Sequence, residues 1–321
     1  MGPAPDVLTR LALSRGTLDR AGHRRRDPDL VTHLLADPAT RVAMIVGETM
    51  EVLEDGMAPT GHSLGLRSPV PADADRLAVF LGEEWTDGEQ TAYLAVVGEP
   101  TDAGVGEWQT LRAAGLHLGD RDAGIFTTAQ ALANWHATHP FCPRCGAPTT
   151  PELSGWTRRC QREGSEHYPR TDPAVIMAVV DDDDRLLLGR GAQWPEGRFS
   201  VLAGFVEPGE SLEAAVAREV AEEVGIEVTD VAYLGNQPWP FPSSDMIGFR
   251  ARALGTELTL DPAEIAEARW VTRESYVEAL HAGWLRTPSG ISIAQRIIEQ
   301  WLGGKIEDAL AVSASGRPVR R

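Results

Sequence analysis

GFVEPGESLEAAVAREVAEEVGI, residues 204 to 226, decides how this chain is read. Its second half has a helical period. Leu212, Val216 and Val220 fall four residues apart and mark an apolar stripe. Ser211, or the Pro208-Gly209 turn before it, is a start signal, and Gly225 is a stop. Glu219 and Glu223 are four apart and Glu222 is three from Glu219, so all three carboxylates are expected on one side of the helix. Like charges so placed repel by about 0.2–0.5 kcal/mol per pair on an exposed helix. A positive charge should offset that repulsion, and a hard divalent cation such as Mg²⁺ takes oxygen ligands of this kind and shares them with phosphates. The competing explanation is a solvated acidic face.

What surrounds the helix decides between the two. Gly204, Glu210, Arg218-Glu219, Glu222-Glu223 and Gly225 fill every fixed position of the pattern GX5EX7REUXEEXGU, with Val220 and Ile226 as its aliphatic residues U. In this the chain resembles the Nudix hydrolases. The resemblance implies an α+β chain whose Nudix part is an α/β/α sandwich around a mixed sheet. It also implies metal-dependent hydrolysis of a nucleoside diphosphate linked to another group.

The rest of the chain sets bounds. Its 321 residues allow two or three domains. No apolar run approaches a membrane span. The start, MGPAPDVLTRLALSRGTLDRAGHRRRD, has no secretory pattern, so a cytoplasmic location is expected and Arg24-Arg25-Arg26 reads as solvated surface. The net charge of −17 repels nucleic acid at long range, so a phosphate-bearing substrate needs metal ions and local arginines.

Residues 1–122 read as a separate N-terminal α/β domain without a catalytic constellation. Arg41 to Leu53 alternates like a strand. Arg76 to Val97 reads as two strands joined around Asp87-Gly88, and the Pro- and Asp-rich stretch before it as loop. Residues 123–168 read as a connector and a zinc-ribbon-like module. Asp122 to His136 is the connecting helix. All three cysteines follow it: Cys142 and Cys145 at zinc-knuckle spacing, and Cys160 placed to begin a second knuckle. Structural Zn²⁺ would staple so small a segment. Its fourth ligand is either Glu163, where the second knuckle's partner falls, or His167. Three reduced thiols without metal is the alternative.

Residues 169–303 read as the Nudix domain. Ala174 to Val180 is a buried strand, Asp181 to Asp184 a solvated hairpin turn, Arg185 to Leu188 the next strand, Met246 to Ala253 another, and Pro288 to Leu302 a helix. Residues 304–321 read as a disordered tail. QPWPFPSS, Gln237 to Ser244, is too proline-rich for a helix or a central strand. It should make a stiff loop that presents Trp239 and Phe241, or a packed loop whose aromatics fill the core. It resembles the SQPWPFPxS signature of NudC-type NADH pyrophosphatases, with Asn236 in place of the usual Ser. Physically, an aromatic on a rigid turn suits a planar base, whose stacking is worth about 1–3 kcal/mol.

That closer resemblance covers roughly Ala123 to Leu302. It implies hydrolysis of the pyrophosphate of NADH and NAD⁺ to nicotinamide mononucleotide and AMP, with removal of NAD caps from RNA 5′ ends as a second activity. It places Mg²⁺ or Mn²⁺ on Glu219, Glu222, Glu223, Glu264 and the Ala203 carbonyl, although Glu267 lies close enough in sequence to be mistaken for Glu264. Arg218 would pair with Glu210 to orient the loop. The general base would be Glu222, Glu223 or Glu264. Tyr168, Gln237, Pro238, Trp239, Pro240, Phe241, Pro242, Ser243, Ser244 and Ala294 would line the dinucleotide pocket. A homodimer is implied, and no membrane partner. The alternatives are a Nudix enzyme acting on ADP-ribose or a nucleoside triphosphate, which the loop argues against, and a non-catalytic NAD-binding domain, which the intact box argues against.

Overall fold

The computed structural model describes residues 6–314, which divide into two compact units. The first holds Ala12–Thr171 and Pro238–Ser244. The second holds the N-terminal segment up to Leu11, Asp172–Gln237 and the residues from Asp245 onward.

In the first unit, helix α1 (Leu30–Ala36) precedes strands β1 (Arg41–Val46), β2 (Thr49–Glu54), β3 (His62–Leu64), β4 (Ala78–Thr86), β5 (Glu89–Gly98) and β6 (Trp108–Thr110). The sheet order is β3-β2-β1-β5-β4, with β6 on β2 and a parallel β1–β5 pair. Arg41 to Leu53 is therefore two strands, where the sequence suggested one. Gly47, at φ 59°, turns the chain between them. The β4–β5 hairpin closes at Asp87 and Gly88, both at positive φ, the conformation a two-residue hairpin turn asks for. Val42, Phe80, Leu94 and Val96 pack beneath Leu30 and Leu34 of α1. The stretch expected as loop before β4 holds a short 3-10 turn, Pro71–Asp75. The short helix α2 (Leu111–Ala114) leads to the connector α3 (Asp120–Thr138), which buries Ile125, Phe126, Ala129, Leu132 and Trp135. Strands β7 (Thr149–Glu152), β8 (Thr157–Cys160) and β9 (Glu166–His167) then form a small three-stranded sheet.

Arg24 and Arg25 are not the solvated surface their sequence suggested. Arg24 pairs with Glu83, and the Arg25 guanidinium carbon sits 3.7 Å from the centre of the Trp156 ring.

In the second unit, β10 (Asp172–Val180), β11 (Leu186–Gly191), β12 (Leu202–Phe205), α4 (Leu212–Val224), β13 (Val228–Trp239), β14 (Ser244–Ala253), β15 (Ile265–Val271), α5 (Arg273–His281), α6 (Ile293–Leu302) and α7 (Ile306–Ala314) follow in order. The sheet runs β13-β14-β10-β11-β15, with β12 paired to β10. The continuous apolar run of β10 has a direct cause: both its faces are covered. Val175, Met177 and Val179 pack with Val216, Val220 and Val224 of α4. Ile176, Ala178 and Val180 pack with Tyr276, Val277, Ile297 and Ile298 of α5 and α6. A sheet with helices on both faces is the expected sandwich, and the chain as a whole is α+β.

Three local expectations change. The helix expected from Pro288 starts at Ile293, because the Ser292 hydroxyl caps it by accepting from Ala294 N at 3.2 Å. Gln237–Trp239 lie in β13, an edge strand, where a proline's missing donor costs no ladder bond. The segment expected as a disordered tail contains α7, whose Ile306 is buried with the α5–α6 core; residues 315–321 lie outside the described residues. The acidic turn after β10 is a hairpin turn as expected. Its first member, Asp181, is buried, and its carboxylate accepts from Asp183 N and Arg185 N.

Candidate active site and metal centres

Helix α4 is fixed at both ends by its own sequence. The Ser211 hydroxyl accepts from Ala214 N at 3.2 Å. Gly225 ends the helix at φ 72°, and its N–H donates to Ala221 O at 3.0 Å. The last carbonyls of a helix need donors from elsewhere. Val224 O accepts from Thr259 N at 2.9 Å and Glu223 O from Asp261 N at 3.1 Å. The turn that carries Glu264 is thereby hung from the end of the helix that carries Glu219 and Glu223.

The result is a cluster in which Glu219, Glu223 and Glu264 bring carboxylate oxygens within 4.8 Å of one another. Glu222 is not in it. It is exposed, and Arg218 Nη1 donates to its Oε2 at 2.9 Å. Glu267 is not in it either; it pairs with Arg269 and Arg190. Gly204 makes the cluster possible. A Cβ there would lie 1.9 Å from the Glu219 carboxyl carbon.

Arg218 binds the motif together. Its Nε and Nη2 donate to the two Glu210 oxygens at 2.9 and 3.0 Å, its Nη1 reaches Glu219 at 2.9 Å, and its Nη2 also donates to Phe205 O at 2.8 Å. The Glu207 N–H donates to Glu210 at 3.1 Å and closes the loop. The expected Arg218–Glu210 pair is thus present as a bidentate contact.

Burial pushes the Glu223 carboxyl up to about 8, with the Glu219 and Glu264 charges adding to the shift. Burial also raises Glu219, against the pull of Arg218. Glu223 Oε2 is buried and has no hydrogen-bond partner. A buried, unpaired carboxylate oxygen beside two more carboxylates is the donor set of a hard divalent cation. The residues present fit such an ion.

Glu223, Glu264 and Ala203 line a cavity of about 290 Å³ with Trp194, Gln193 and Gly191. Two aromatics here were passed over in the sequence. Trp194 lines the cavity, and Phe205, 60% exposed, directly follows Gly204. Their signal was available: a tryptophan inside the polar turn QWPEG, and an aromatic next to the motif's first glycine.

The cysteine module is built from two matching knuckles. In CPRCG, Gly146 N donates to Cys142 O at 2.8 Å; in CQREG, Gly164 N donates to Cys160 O at 3.0 Å. Both glycines have positive φ, 72° and 70°. This repeat places Glu163 where the second knuckle's other cysteine would be. Cys142, Cys145, Cys160 and Glu163 offer ligand atoms within 4.8 Å of one another, and His167 lies outside that group, bonded to Ser165. Arg162 N and Glu163 N lie 3.4 and 3.5 Å from Cys160 Sγ. Those backbone donors, the Glu163 N–H first, lower the Cys160 thiol to about 7. A thiol made easier to deprotonate, among three further donors, fits a structural zinc.

The residues expected to line a dinucleotide pocket are scattered in character. Gln237 is fully buried, and its side-chain amide donates to Ile291 O at 2.9 Å. Ala294 is buried at the start of α6. Tyr168 is exposed, its hydroxyl donating to Glu166. In the first unit, Trp239 and Phe241 pack edge to face at 4.9 Å, and the Arg112 guanidinium lies over both, 4.8 and 3.8 Å from their centres. Asn134 Nδ2 donates to Pro240 O at 3.1 Å and Pro242 O at 3.0 Å. Pro240 is buried, Pro238 and Pro242 are exposed, and Ser243 and Ser244 are half-buried. The loop is thus held down, with its aromatics half-buried under Arg112, as in the packed alternative.

Comparison with known proteins accounts for this combination of modules. Residues 170–288 match the NUDIX domain, 137–168 the NADH pyrophosphatase zinc ribbon domain, and 43–135 the NADH pyrophosphatase-like rudimentary NUDIX domain. Over 301 residues the chain is 40% identical to the NAD-capped RNA hydrolase NudC of Mycobacterium bovis, covering 90% of this chain and 94% of that protein. The chain belongs to the NudC family of Nudix hydrolases. Within the family it is also 43% identical over 199 residues to the NAD-capped RNA hydrolase NUDT12 of Homo sapiens, covering 58% of this chain and 43% of that protein. A solved NUDIX hydrolase from Nitrosomonas europaea aligns with 51% of this chain and 94% of its own, at 21% identity and a TM-score of 0.41. NudC-family membership gives each module a description: the carboxylate cluster lies in the NUDIX match, the cysteine cluster in the zinc-ribbon match, and the β1–β5 sheet largely in the rudimentary NUDIX match. Among the described residues, no helix is long and apolar enough to cross a membrane.

Proposed function

We propose that this protein hydrolyses the pyrophosphate of NADH and NAD⁺ to AMP and the reduced or oxidised nicotinamide mononucleotide respectively, and removes NAD caps from RNA 5′ ends. The observation that carries this reading is the Glu219–Glu223–Glu264 cluster with its unpartnered buried oxygen, beside an open cavity. The identity to NAD-capped RNA hydrolases supports the choice of substrate.

Glu219, Glu223 and Glu264, with the Ala203 carbonyl, would hold Mg²⁺ or Mn²⁺. Bound there, the cation supplies Lewis-acid charge to the diphosphate and acidifies water at the site. Arg218 does not touch substrate. It holds the Gly204–Glu210 loop, Glu219 and Glu222 in place. Glu264, the exposed member of the cluster, takes the proton released by the attacking water. Trp194 and Phe205 offer flat faces for the ring systems of the dinucleotide. Cys142, Cys145, Cys160 and Glu163 hold a structural zinc, and the family relationship favours a homodimer.

The test is direct. The purified protein is incubated with NADH, ADP-ribose, ATP and a short NAD-capped RNA, with Mg²⁺ or Mn²⁺, and the products are separated. Reduced nicotinamide mononucleotide and AMP from NADH, lost when the catalytic metal is withheld, is the expected result. Preferred cleavage of ADP-ribose or ATP would overturn the substrate assignment, and binding without cleavage would overturn the reaction.

A further inference from the structure

Arg20 and Arg25 lie in the first unit and belong to neither metal-type cluster. Neither forms an ion pair among the described residues. The acidic groups that flank them in the chain are already engaged, the Asp19 carboxylate accepting from Ala21 N and the Asp27 carboxylate from Asp29 N, and Glu83, bridged to Asp19 across the sheet, pairs with Arg24. Both guanidinium groups instead face one indole, Arg20 at 5.4 Å and Arg25 at 3.7 Å from the Trp156 ring centre. Arg25 Nε is buried without a hydrogen-bond partner, and Arg25 Nη2 donates only to Arg20 O, at 3.2 Å. Burial lowers the pKa of both arginines, and the Arg20 charge lowers that of Arg25 further. In a chain of net charge −17, two desolvated and mutually repelling cations have been left without a carboxylate. Stacking on Trp156 accounts for part of Arg25. It leaves Arg25 Nε unpaired, and it leaves Arg20 with no polar partner.

Arg20 and Trp156 border a cavity of about 350 Å³ whose other walls include Leu81, Ile125, Leu132 and Thr128. Arg25 does not line this cavity; it borders a second groove with Arg26, Leu153 and Gly155, and reaches the first through the Trp156 ring it lies over. That volume falls in the range of small-molecule sites, and an apolar lining with a few polar groups is their usual composition. We propose that this cavity, none of whose lining residues belongs to the carboxylate cluster, is a second ligand site that takes a phosphate monoester carrying a flat, largely apolar body: a ligand of the mononucleotide class. The guanidinium forks of Arg20 and Arg25 match phosphate geometry, and their lack of acidic partners leaves those donors available. The aliphatic wall and the indole take the body of the ligand, and Thr128 adds a hydroxyl. Inorganic phosphate would satisfy the arginines but leave the apolar wall uncovered.

The probe is AMP, titrated by calorimetry into the full-length, zinc-loaded protein after dialysis against buffer free of Mg²⁺ and Mn²⁺. Inorganic phosphate is the second titrant. The wild type should bind AMP at least tenfold more tightly than phosphate. Arg20→Gln and Arg25→Gln should each weaken AMP binding at least tenfold, while Arg20→Lys, which keeps the charge, should lose less. A thermal melt of each variant shows that it is folded, and NADH turnover with Mn²⁺ should stay within about twofold of wild type. No AMP binding by the wild type, or equal binding by folded glutamine variants, overturns the proposal. Phosphate binding as tightly as AMP overturns the ligand class. If the glutamine variants lose NADH turnover in step with AMP binding, the arginines belong to the catalytic site and there is no second one.

Discussion

Glu223 gives the sharpest test of the metal site, because its effect should reverse with pH and with metal. Burial holds its carboxyl near 8 in the folded, metal-free protein, against 4.5 for an unperturbed glutamate. Between those two values the folded state binds a proton that the unfolded state has released. Stability contributed by this group is therefore fully present below about 4.5, falls as pH rises through the window, and is lost above about 8. The slope inside the window is about 1.4 kcal/mol per pH unit, and the whole window amounts to at most about 5 kcal/mol. Glu223→Gln carries no such penalty. In the absence of Mg²⁺ and Mn²⁺, the variant should melt no lower than wild type at pH 6 and clearly higher at pH 9. At roughly 2–4 °C per kcal/mol for a unit of this size, a gain of up to about 10–20 °C is expected. Saturating Mn²⁺ should raise the wild-type transition at pH 8 and leave the variant nearly unmoved, because a cation paired with the ionised carboxylate removes the cost of burying its charge. Calorimetric melts at pH 6, 7, 8 and 9, with and without Mn²⁺, measure all of this. A wild-type melting temperature independent of pH across that range, or a variant less stable than wild type at pH 9 without metal, would refute the assignment of Glu223 as a buried, metal-compensated carboxylate.

The other predictions are simpler. Glu219→Gln should lower kcat on NADH about 10²–10⁴-fold, several kcal/mol of lost charge stabilisation, while Glu222→Gln should cost about tenfold or less because its side chain points at Arg218; equal losses in the two variants would put Glu222 back in the ligand set. Arg218→Lys keeps the charge but loses the bidentate grip on Glu210. It should depress kcat more than KM, and unchanged kcat would remove its positioning role. Glu163→Cys should bind one zinc per chain more tightly than wild type in a chelator competition, and Glu163→Ala more weakly; identical affinities in all three proteins would show that Glu163 is not a ligand. Trp239→Ala should destabilise the protein by about 1–2 kcal/mol through loss of its contacts with Phe241 and Arg112, read as a lowered melting temperature; a melting temperature unchanged with a raised KM for NADH would restore the ligand-stacking role suggested by the sequence.

Much of the second unit was legible because its signals are local. The helix from Leu212 to Val224 follows from a four-residue apolar period and two caps, and the two-faced strand at Ala174–Val180 from an unbroken apolar run. What was illegible depended on partners distant in sequence. QPWPFP looks like a loop displaying its rings, and only the placement of Arg112 and Asn134 shows the rings covered and the turn tied down. Arg24-Arg25-Arg26 looks like solvent-facing charge until Glu83 and Trp156 are brought to it. Glu163 was placed by spacing alone, at the partner position of the second knuckle, and the repeat of the glycine-closed turn in three dimensions is what sets it apart from His167.

The separation of Glu222 from Glu219 and Glu223 shows where spacing arguments stop. At about 100° per residue, Glu223 lies about 40° around the helix from Glu219 on one side, and Glu222 about 60° on the other. Spacing alone therefore admits all three to one face. What divides them is the surroundings of that face. Val216, Val220 and Val224 anchor the helix on the sheet, which turns Glu223 inward toward the Ala203 edge of β12 and the suspended Glu264 turn. On the opposite flank stands Arg218, itself held by both Glu210 oxygens, and its Nη1 reaches Glu219 and Glu222 equally at 2.9 Å. One guanidinium nitrogen thus holds both carboxylates, and pairing with Arg218 does not divide them. Burial does: Glu219 is buried beside Glu223 and Glu264, while Glu222 stands exposed on the solvent side of the same arginine.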